Sequence, residues 1–109
     1  MDSGIRWTVQ DREGHEIYLT QERWEHITGA ANHPEMEGFE DEVKLTIQRS
    51  RRQQDSLNPQ KYIYSWSFSN LPFDNTHIVA IVLFRLREQV SRKPTPNNYI
   101  VTAYQKEIG

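Results

Sequence analysis

The stretch at residues 77–88 constrains the fold more than any other part of the sequence. Every second position from Ile78 to Leu86 is apolar, and most of the intervening positions are apolar too. Such a strand usually lies inside a sheet and is covered on both sides. We therefore predict a central strand here. Arg85 and Arg87 end its second face, so both should emerge on one side of the sheet near the end of the strand.

A second strand is predicted at residues 61–68, where the side chains alternate cleanly. One of its faces is entirely aromatic. Such a face can stack nucleobases, but aromatic side chains also favour strands and bury large areas. We interpret it as a core face beneath the helices. Its members are Tyr62, Tyr64, Trp66 and Phe68.

A third strand is predicted near the end of the sequence. Residues 99–104 alternate, so Thr102 and Tyr104 share a face, and this strand should run antiparallel to the central one. Residues 89–98 contain two prolines and several polar side chains, a composition typical of a mobile connection. We therefore expect a loop over that range.

The N-terminal half predicts a hairpin followed by two helices. Strands are expected at residues 5–10 and 15–19, on either side of a turn that contains Gly14. The elements then follow the order ββααβββ. Helices that precede a run of strands favour an α+β fold, here a hairpin and two helices packed on an antiparallel sheet. The length of 109 residues predicts a single domain over residues 1–109.

Both predicted helices are short and amphipathic. Thr20 suits the N-cap of the first, because its hydroxyl can accept a hydrogen bond from an otherwise unpaired backbone N–H. Pro34 places the end of that helix before His33. The second helix is expected over residues 39–50. The apolar stripes are Trp24, Ile27 and Ala31 in the first helix and Phe39, Val43 and Ile47 in the second.

Composition narrows the classes of function. The sequence has no cysteine, which excludes a disulfide framework and a cysteine-based zinc site. It shows no signal-peptide pattern, and its longest apolar run, at residues 78–84, is too short to span a bilayer as a helix. We therefore expect a cytoplasmic protein that has no membrane partner.

Charge is distributed unevenly along the chain, although the net charge is only −2. Residues 1–42 carry 11 acidic and three basic side chains, whereas residues 43–109 carry four acidic and ten basic ones. Such an asymmetry is a hint of a surface that faces a polyanion. Solvent-exposed helices can produce the same pattern, and the sequence leaves both interpretations open.

No phosphate-binding loop, metalloprotease motif or nucleophile elbow is present, and we predict neither a metal nor a cofactor. What remains can handle a phosphodiester without a metal: a histidine can move a proton, an arginine can neutralise the phosphate, and a hydroxyl can orient it. Our candidate catalytic residues are His26, His33, Arg85, Thr102 and Tyr104. Our candidate substrate-binding residues are Arg51, Arg52, Lys61 and Arg87. For Arg51 and Arg52 the alternative is stabilisation of a helix C-terminus.

Several short segments resemble a widespread family of small bacterial and phage proteins. That family is grouped with the barnase–EndoU–colicin–RelE superfamily of metal-independent ribonucleases. The similarity covers about residues 15–105, and its most specific parts are the Trp-x-His-Ile, His-Pro-Glu and Thr-Ala-Tyr pieces. The matching segments are Glu16-Ile17-Tyr18-Leu19-Thr20, Arg23-Trp24-Glu25-His26-Ile27, His33-Pro34-Glu35-Met36 and Val101-Thr102-Ala103-Tyr104.

The resemblance implies a RelE- or barnase-like fold and a toxin-like ribonuclease that acts by general acid–base chemistry on RNA. It also implies an antitoxin protein as a partner, and a homodimer is a further candidate assembly. Carried over residue by residue, the family's functional positions match His26, His33, Thr102 and Tyr104. Two alternatives stay open. One is an inactive relative that serves as a protein-interaction or regulatory module, and the other is a domain that binds a small anion between sheet and helices.

Overall fold

The computed structural model describes residues 4–90 and 92–108. These residues form one six-stranded sheet with helices on one of its faces. The strands are β1 (Ile5–Gln10), β2 (Glu16–Thr20), β3 (Gln53–Gln54), β4 (Lys61–Ser67), β5 (His77–Gln89) and β6 (Arg92–Lys106). The helices are α1 (Gln21–Thr28) and α2 (Glu40–Arg49), with a 3₁₀ turn at Pro34–Met36 between them. The α+β class is as predicted.

The strands lie in the order β1-β2-β6-β5-β4-β3, so β5 is an interior strand, as expected. β2 runs parallel to β6, while all other pairs are antiparallel. The prediction of an antiparallel sheet is therefore corrected to a mixed one. The predicted element order ββααβββ also lacked β3, whose two residues pair with β4. A strand of two polar residues carries no periodicity that the sequence could reveal.

The β5–β6 hairpin is much longer than predicted. β6 begins at Arg92, so most of the expected loop over residues 89–98 is strand. Pro94 and Pro96 lie within it although proline cannot donate to a strand ladder. They are tolerated because β2 joins β6 only at Asn98 and Tyr99, which leaves the outer edge of β6 without a strand partner at the prolines.

The hydrophobic core lies between the helices and one face of the sheet. The aromatic face of β4 contributes to it, since Tyr64 is fully buried and Tyr62 packs at its margin. The core members are Ile17, Leu19, Trp24, Ile27, Met36, Val43, Ile47, Tyr64, Ile78, Ala80, Val82, Ile100 and Ala103. Burial of these side chains is the main stabilising contribution to the fold.

The opposite face of the sheet, which we call the open face, is not part of this core. Val79 and Ile81 point to it and are only 4% and 9% exposed, but they do not belong to the core cluster under the helices. β5 is therefore buried on both faces, as the sequence predicts, although the core cluster lies only under the helices. On the open face, Val79 is flanked by Ser65 and Tyr104, and Ile81 by Ile63 and Thr102.

The helix boundaries agree with most of the sequence signals. The Thr20 hydroxyl accepts a hydrogen bond of 3.0 Å from the backbone N–H of Arg23, which confirms the predicted N-cap. α1 ends at Thr28, so Ala31 lies outside the helix and is exposed, contrary to the predicted stripe. In α2, Val43 and Ile47 are buried as expected.

Candidate functional site

Strand pairing arranges the side chains of the open face in rows. Residues opposite each other in an antiparallel pair point to the same face, and successive rows are about 7 Å apart because each strand residue advances about 3.3 Å. The rows are Ser65, Val79 and Tyr104; Ile63, Ile81 and Thr102; Lys61, Leu83 and Tyr99; Arg85 and Asn97; and Arg87 and Thr95. Five of the nine predicted site residues therefore lie on this face, and a sixth, His33, lies against one of them. The five are Lys61, Arg85, Arg87, Thr102 and Tyr104.

His33 lies against Tyr104 at one end of the open face. The centroids of the two rings are 5.5 Å apart and their planes are tilted by 31°. Local hydrogen bonds hold the His33 segment in place: the His33 N–H donates to the Ile27 carbonyl at 2.8 Å, and the Gln105 side-chain amide donates to the Glu35 carbonyl at 3.1 Å. Thr102, two residues before Tyr104, points to the same face.

Glu35 completes this group, and the sequence had not indicated it as a catalytic residue. Its carboxylate Oε2 lies 3.3 Å from His33 Nδ1. A carboxylate at one ring nitrogen fixes the orientation of an imidazole and leaves Nε2 to exchange a proton. Both side chains are partly exposed, at 38% and 26%, so the ring is accessible to a substrate. The signal in the sequence was the spacing His33-x-Glu35 around a proline.

The three predicted cations of the open face form a line rather than a ring around His33. Lys61 lies one row from Thr102 and is 4.0 Å from the carboxylate of Asp55. Thr102 pairs with Ile81, and Arg85 lies four residues further along β5, at a distance of about 13 Å from Ile81. Arg87 is one row further and donates to the Asn97 side chain at 2.8 Å. This spacing suits contacts to successive phosphates rather than to one.

His26 lies apart from these residues. It is an exposed residue in the last turn of α1, and its backbone carbonyl accepts a hydrogen bond from the Asn32 side chain. Within residues 4–90 and 92–108, its imidazole has no hydrogen bond, ion pair or ring contact. The geometry therefore connects His33, and not His26, to Thr102 and Tyr104.

Arg51 and Arg52 lie on the helix side of the sheet. The guanidinium of Arg52 is 4.1 Å from the centre of the Tyr62 ring and 4.8 Å from that of Phe84, and it forms an ion pair of 3.3 Å with Glu13. Arg51 is exposed beside it. These two arginines thus contact a different surface from the one that carries His33.

A second carboxylate–histidine pair, on the helix side, was missed by the sequence prediction. Asp11 Oδ2 lies 2.9 Å from His15 Nδ1 and accepts a hydrogen bond of 2.6 Å from the Tyr64 hydroxyl. Asp11 Oδ1 accepts from the backbone N–H groups of Glu13 and His15. The spacing of four residues across the β1–β2 turn was the available signal, but the partner Tyr64 is 53 residues away.

Burial alone would raise the pKa of Asp11, because a carboxylate loses solvation inside the protein. The hydrogen bonds from Tyr64, from His15 and from the two backbone N–H groups outweigh burial, so the pKa of Asp11 lies below its ordinary value. Burial and the hydrogen bond to this carboxylate raise the pKa of Tyr64. Asp11 is thus an anion held by donors, and since a carboxylate only accepts, His15 Nδ1 is the donor of that pair.

The same turn contains a group with metal-ligand chemistry. One ligand atom each from Asp11, Glu13 and His15 lie within 4.8 Å of one another. Asp11 already accepts bonds at both oxygens, and Glu13 is paired with Arg52. A cation would have to replace these contacts, so the arrangement fits a hydrogen-bonded anion better than a metal centre.

None of the helices in the described ranges has the length and apolar character needed to cross a bilayer. Comparisons of the chain with protein-family models, with curated proteins and with solved structures gave no match. The resemblance to the ribonuclease superfamily therefore depends on the four quoted segments alone and stays a prediction.

Proposed function

We propose that the protein is a metal-independent ribonuclease of toxin type, with a RelE- or barnase-like arrangement, that cleaves RNA on the open face of its sheet. One observation carries the proposal: the His33 ring lies 5.5 Å from that of Tyr104, on the same face as Thr102. Two of the quoted motif segments, about 70 residues apart in the chain, thereby meet at one accessible surface.

The proposed chemistry uses His33 as a general base. Nε2 takes the proton from a ribose 2′-hydroxyl, the 2′ oxygen attacks the adjacent phosphorus, and the bond from phosphorus to the 5′ oxygen breaks. Thr102 and Tyr104 offer hydroxyl groups to the phosphate oxygens. Tyr104 is also able to protonate the leaving 5′ oxygen. Glu35 acts through His33 by keeping the ring oriented.

Substrate binding is supported by what surrounds this group. Lys61, Arg85 and Arg87 follow one another along the open face, where each can neutralise a phosphate. Tyr18 and Tyr99, whose ring centres are 6.0 Å apart, lie beside them. Aromatic side chains in a basic groove are the usual means of holding single-stranded RNA without sequence preference.

The test compares purified wild-type protein with its His33→Ala, Tyr104→Phe and His26→Ala variants on total RNA in EDTA. We expect His33→Ala to lose cleavage by about 10²–10⁴-fold, the usual contribution of a general base. Tyr104→Phe should lose less, because the ring contact with His33 remains. His26→Ala should retain activity, since its imidazole has no contact with the other candidates.

The outcome decides between the predicted histidines. Loss of activity in His26→Ala alone would assign catalysis to α1 and refute the proposed site. Equal activity in all variants would indicate a different site or a contaminating nuclease. No cleavage by any folded variant, in total RNA or on translating ribosomes, would refute the proposed activity.

The second candidate function is the inactive relative that acts as an interaction module. It is favoured by Leu86 and Val90, which are 67% and 94% exposed on the β5–β6 hairpin. Exposed apolar side chains of this kind are found at protein–protein contacts. The proposed partners are an antitoxin or a second copy of the chain, and the proposed location is the cytoplasm. Sedimentation of the wild type and Leu86→Ser would identify self-association through the hairpin.

A further inference from the structure

We propose that the helix side of the sheet contains a second binding site, which takes a nucleotide or the phosphorylated end of an RNA. The site consists of two adjoining concavities beyond the helix layer. One, which we call the His15 groove, is lined by His15, Gln60, Phe84 and Asn98 among others. The other, which we call the arginine pocket, is lined by Arg12, Glu13, Arg51 and Arg52. The arginine pocket contains no residue of the open-face site, whereas Arg85 of the open face also lines the His15 groove.

The arginine pocket concentrates positive charge in a chain whose net charge is negative. It places three guanidinium groups around one acid, Glu13, which is already paired with Arg52. Arg12 donates to the Arg49 carbonyl at 3.2 Å, which holds its guanidinium at the end of α2. Arg51 makes no hydrogen bond or ion pair with any residue that the structure describes. Guanidinium groups in this arrangement suit the oxygens of a phosphate.

The His15 groove has the size and lining of a site for a planar ring. Its volume of about 550 Å³ lies within the usual range for small-molecule sites. The Phe84 ring forms part of one wall, with His15 edge-on to it at 5.2 Å. Gln60 and Asn98 add amide groups to the lining, and amides are the side chains that pair with the edge of a nucleobase.

Arg52 joins the two concavities into one site. Its guanidinium lines the arginine pocket and lies 4.8 Å from the centre of the Phe84 ring in the groove. A phosphate on the arginines and a base in the groove would therefore be neighbours, as they are in one nucleotide. The buried Asp11 accepts from His15 Nδ1, so Nε2 of the neutral ring faces the ligand as an acceptor.

The test measures binding of inorganic phosphate, adenosine and adenosine 5′-monophosphate by calorimetry at low salt. We expect the monophosphate to bind at least tenfold more tightly than phosphate or adenosine alone, and to shift the His15 ring resonances. Arg51→Gln should weaken this binding at least fivefold without affecting the fold, because Arg51 is exposed. Arg92→Gln, an exposed arginine on β6, removes the same charge and should change affinity less than twofold.

Two results would overturn the inference. One is a monophosphate that binds no more tightly than phosphate, which would exclude the groove. The other is an equal loss in Arg51→Gln and Arg92→Gln, which would indicate general attraction to a cation. A hexaribonucleotide with a 5′ phosphate, compared with the same oligonucleotide without it, distinguishes an RNA end from a free nucleotide as the ligand. If the ligand is an RNA end, the phosphorylated oligonucleotide should give the larger shift of the His15 ring resonances. The outcome is independent of cleavage, because His33→Ala should bind the monophosphate as the wild type does.

Discussion

His15 and His33 have environments of the same kind, and His26 does not. Each of the first two directs Nδ1 at a carboxylate and lies against an aromatic ring, Phe84 for one and Tyr104 for the other. In the sequence, residue type alone makes each of the four histidines an equal candidate for proton transfer. What separates them is the neighbour, and in both pairs the aromatic partner comes from a distant strand.

At this scale the pH dependence of stability follows from Asp11 and Tyr64. The folded-state pKa of Asp11 is below its unfolded value of about 3.9. Its stabilisation is therefore complete above that pH and is lost as the pH falls through the folded pKa. The pKa of Tyr64 is raised above its unfolded value of about 10, so its contribution is complete below pH 10 and is lost above it.

We expect Asp11→Asn to make the acid limb of the stability curve shallower and to lower the free energy of unfolding at pH 7 by about 1.5–3 kcal/mol, the usual contribution of hydrogen bonds to a charged group. Urea unfolding of wild type and variant between pH 2.5 and 7 measures both effects. Glu16→Gln, an exposed acid next to the same turn, serves as the control. Acid limbs of equal slope in the wild type and Asp11→Asn would contradict this assignment.

At the scale of elements, a β-bulge decides which side chains of β6 reach the open face. Thr102 pairs with Ile81 and Ile100 with Val82, so Val101 is an extra residue between them. Strict alternation would place Ile100 on the face of Thr102. With the bulge, Ile100 is buried under the helices while Thr102 remains on the open face. The sequence predicted the shared face of Thr102 and Tyr104, but a bulge has no signal in periodicity.

The start of α1 is the element boundary that local chemistry determines best. Removing the Thr20 hydroxyl by Thr20→Ala should lower the free energy of unfolding by about 1 kcal/mol, because the Arg23 N–H loses its acceptor. Thermal or urea unfolding measures the change. Thr28→Ala removes a hydroxyl that donates to the Trp24 carbonyl inside the helix, and should have the smaller effect. The reverse ranking would show that the cap contributes little.

For the whole molecule, the uneven charge of the sequence separates only in part between the two faces, because Arg12, Arg51 and Arg52 lie on the helix side. Part of the acidic excess lies in the helix layer, whereas the open face carries three of the basic side chains. The acids are Glu22, Glu25, Glu40, Asp41 and Glu42, and the bases are Lys61, Arg85 and Arg87. The structure thus offers two locations for a polyanion-facing surface, the open face and the arginine pocket, which net charge alone could not give.

Binding of single-stranded RNA should consequently depend on salt. Three phosphate contacts predict a slope of about −2 for log K against log salt, and Arg87→Gln should reduce its magnitude by about 0.7. Fluorescence anisotropy with a labelled oligonucleotide between 50 and 300 mM salt measures this slope. Lys44→Gln, on the helix layer, should leave the slope unchanged. Equal changes in both variants would place the contacts elsewhere.

The α+β class, the interior strand and both helices were predictable because local periodicity and capping specify them. The mixed sheet was not, because the pairing of β2 with β6 joins residues about 80 positions apart. The carboxylate–histidine pair of the helix side was missed for the same reason. Asp11 and His15 are near in sequence, but their role depends on Tyr64 and Phe84, which strand pairing supplies.

The parallel pairing of β2 with β6 also sets the order in which the chain can mature. β6 lies between β2 and β5, so the N-terminal hairpin has no place in the sheet until the last strand has been synthesised. A growing chain that lacks residues 98–106 cannot complete its core or bring Tyr104 to His33. Contacts this distant in sequence form late. A nascent chain whose β6 has not yet left the ribosome would therefore lack both the completed core and the contact between His33 and Tyr104.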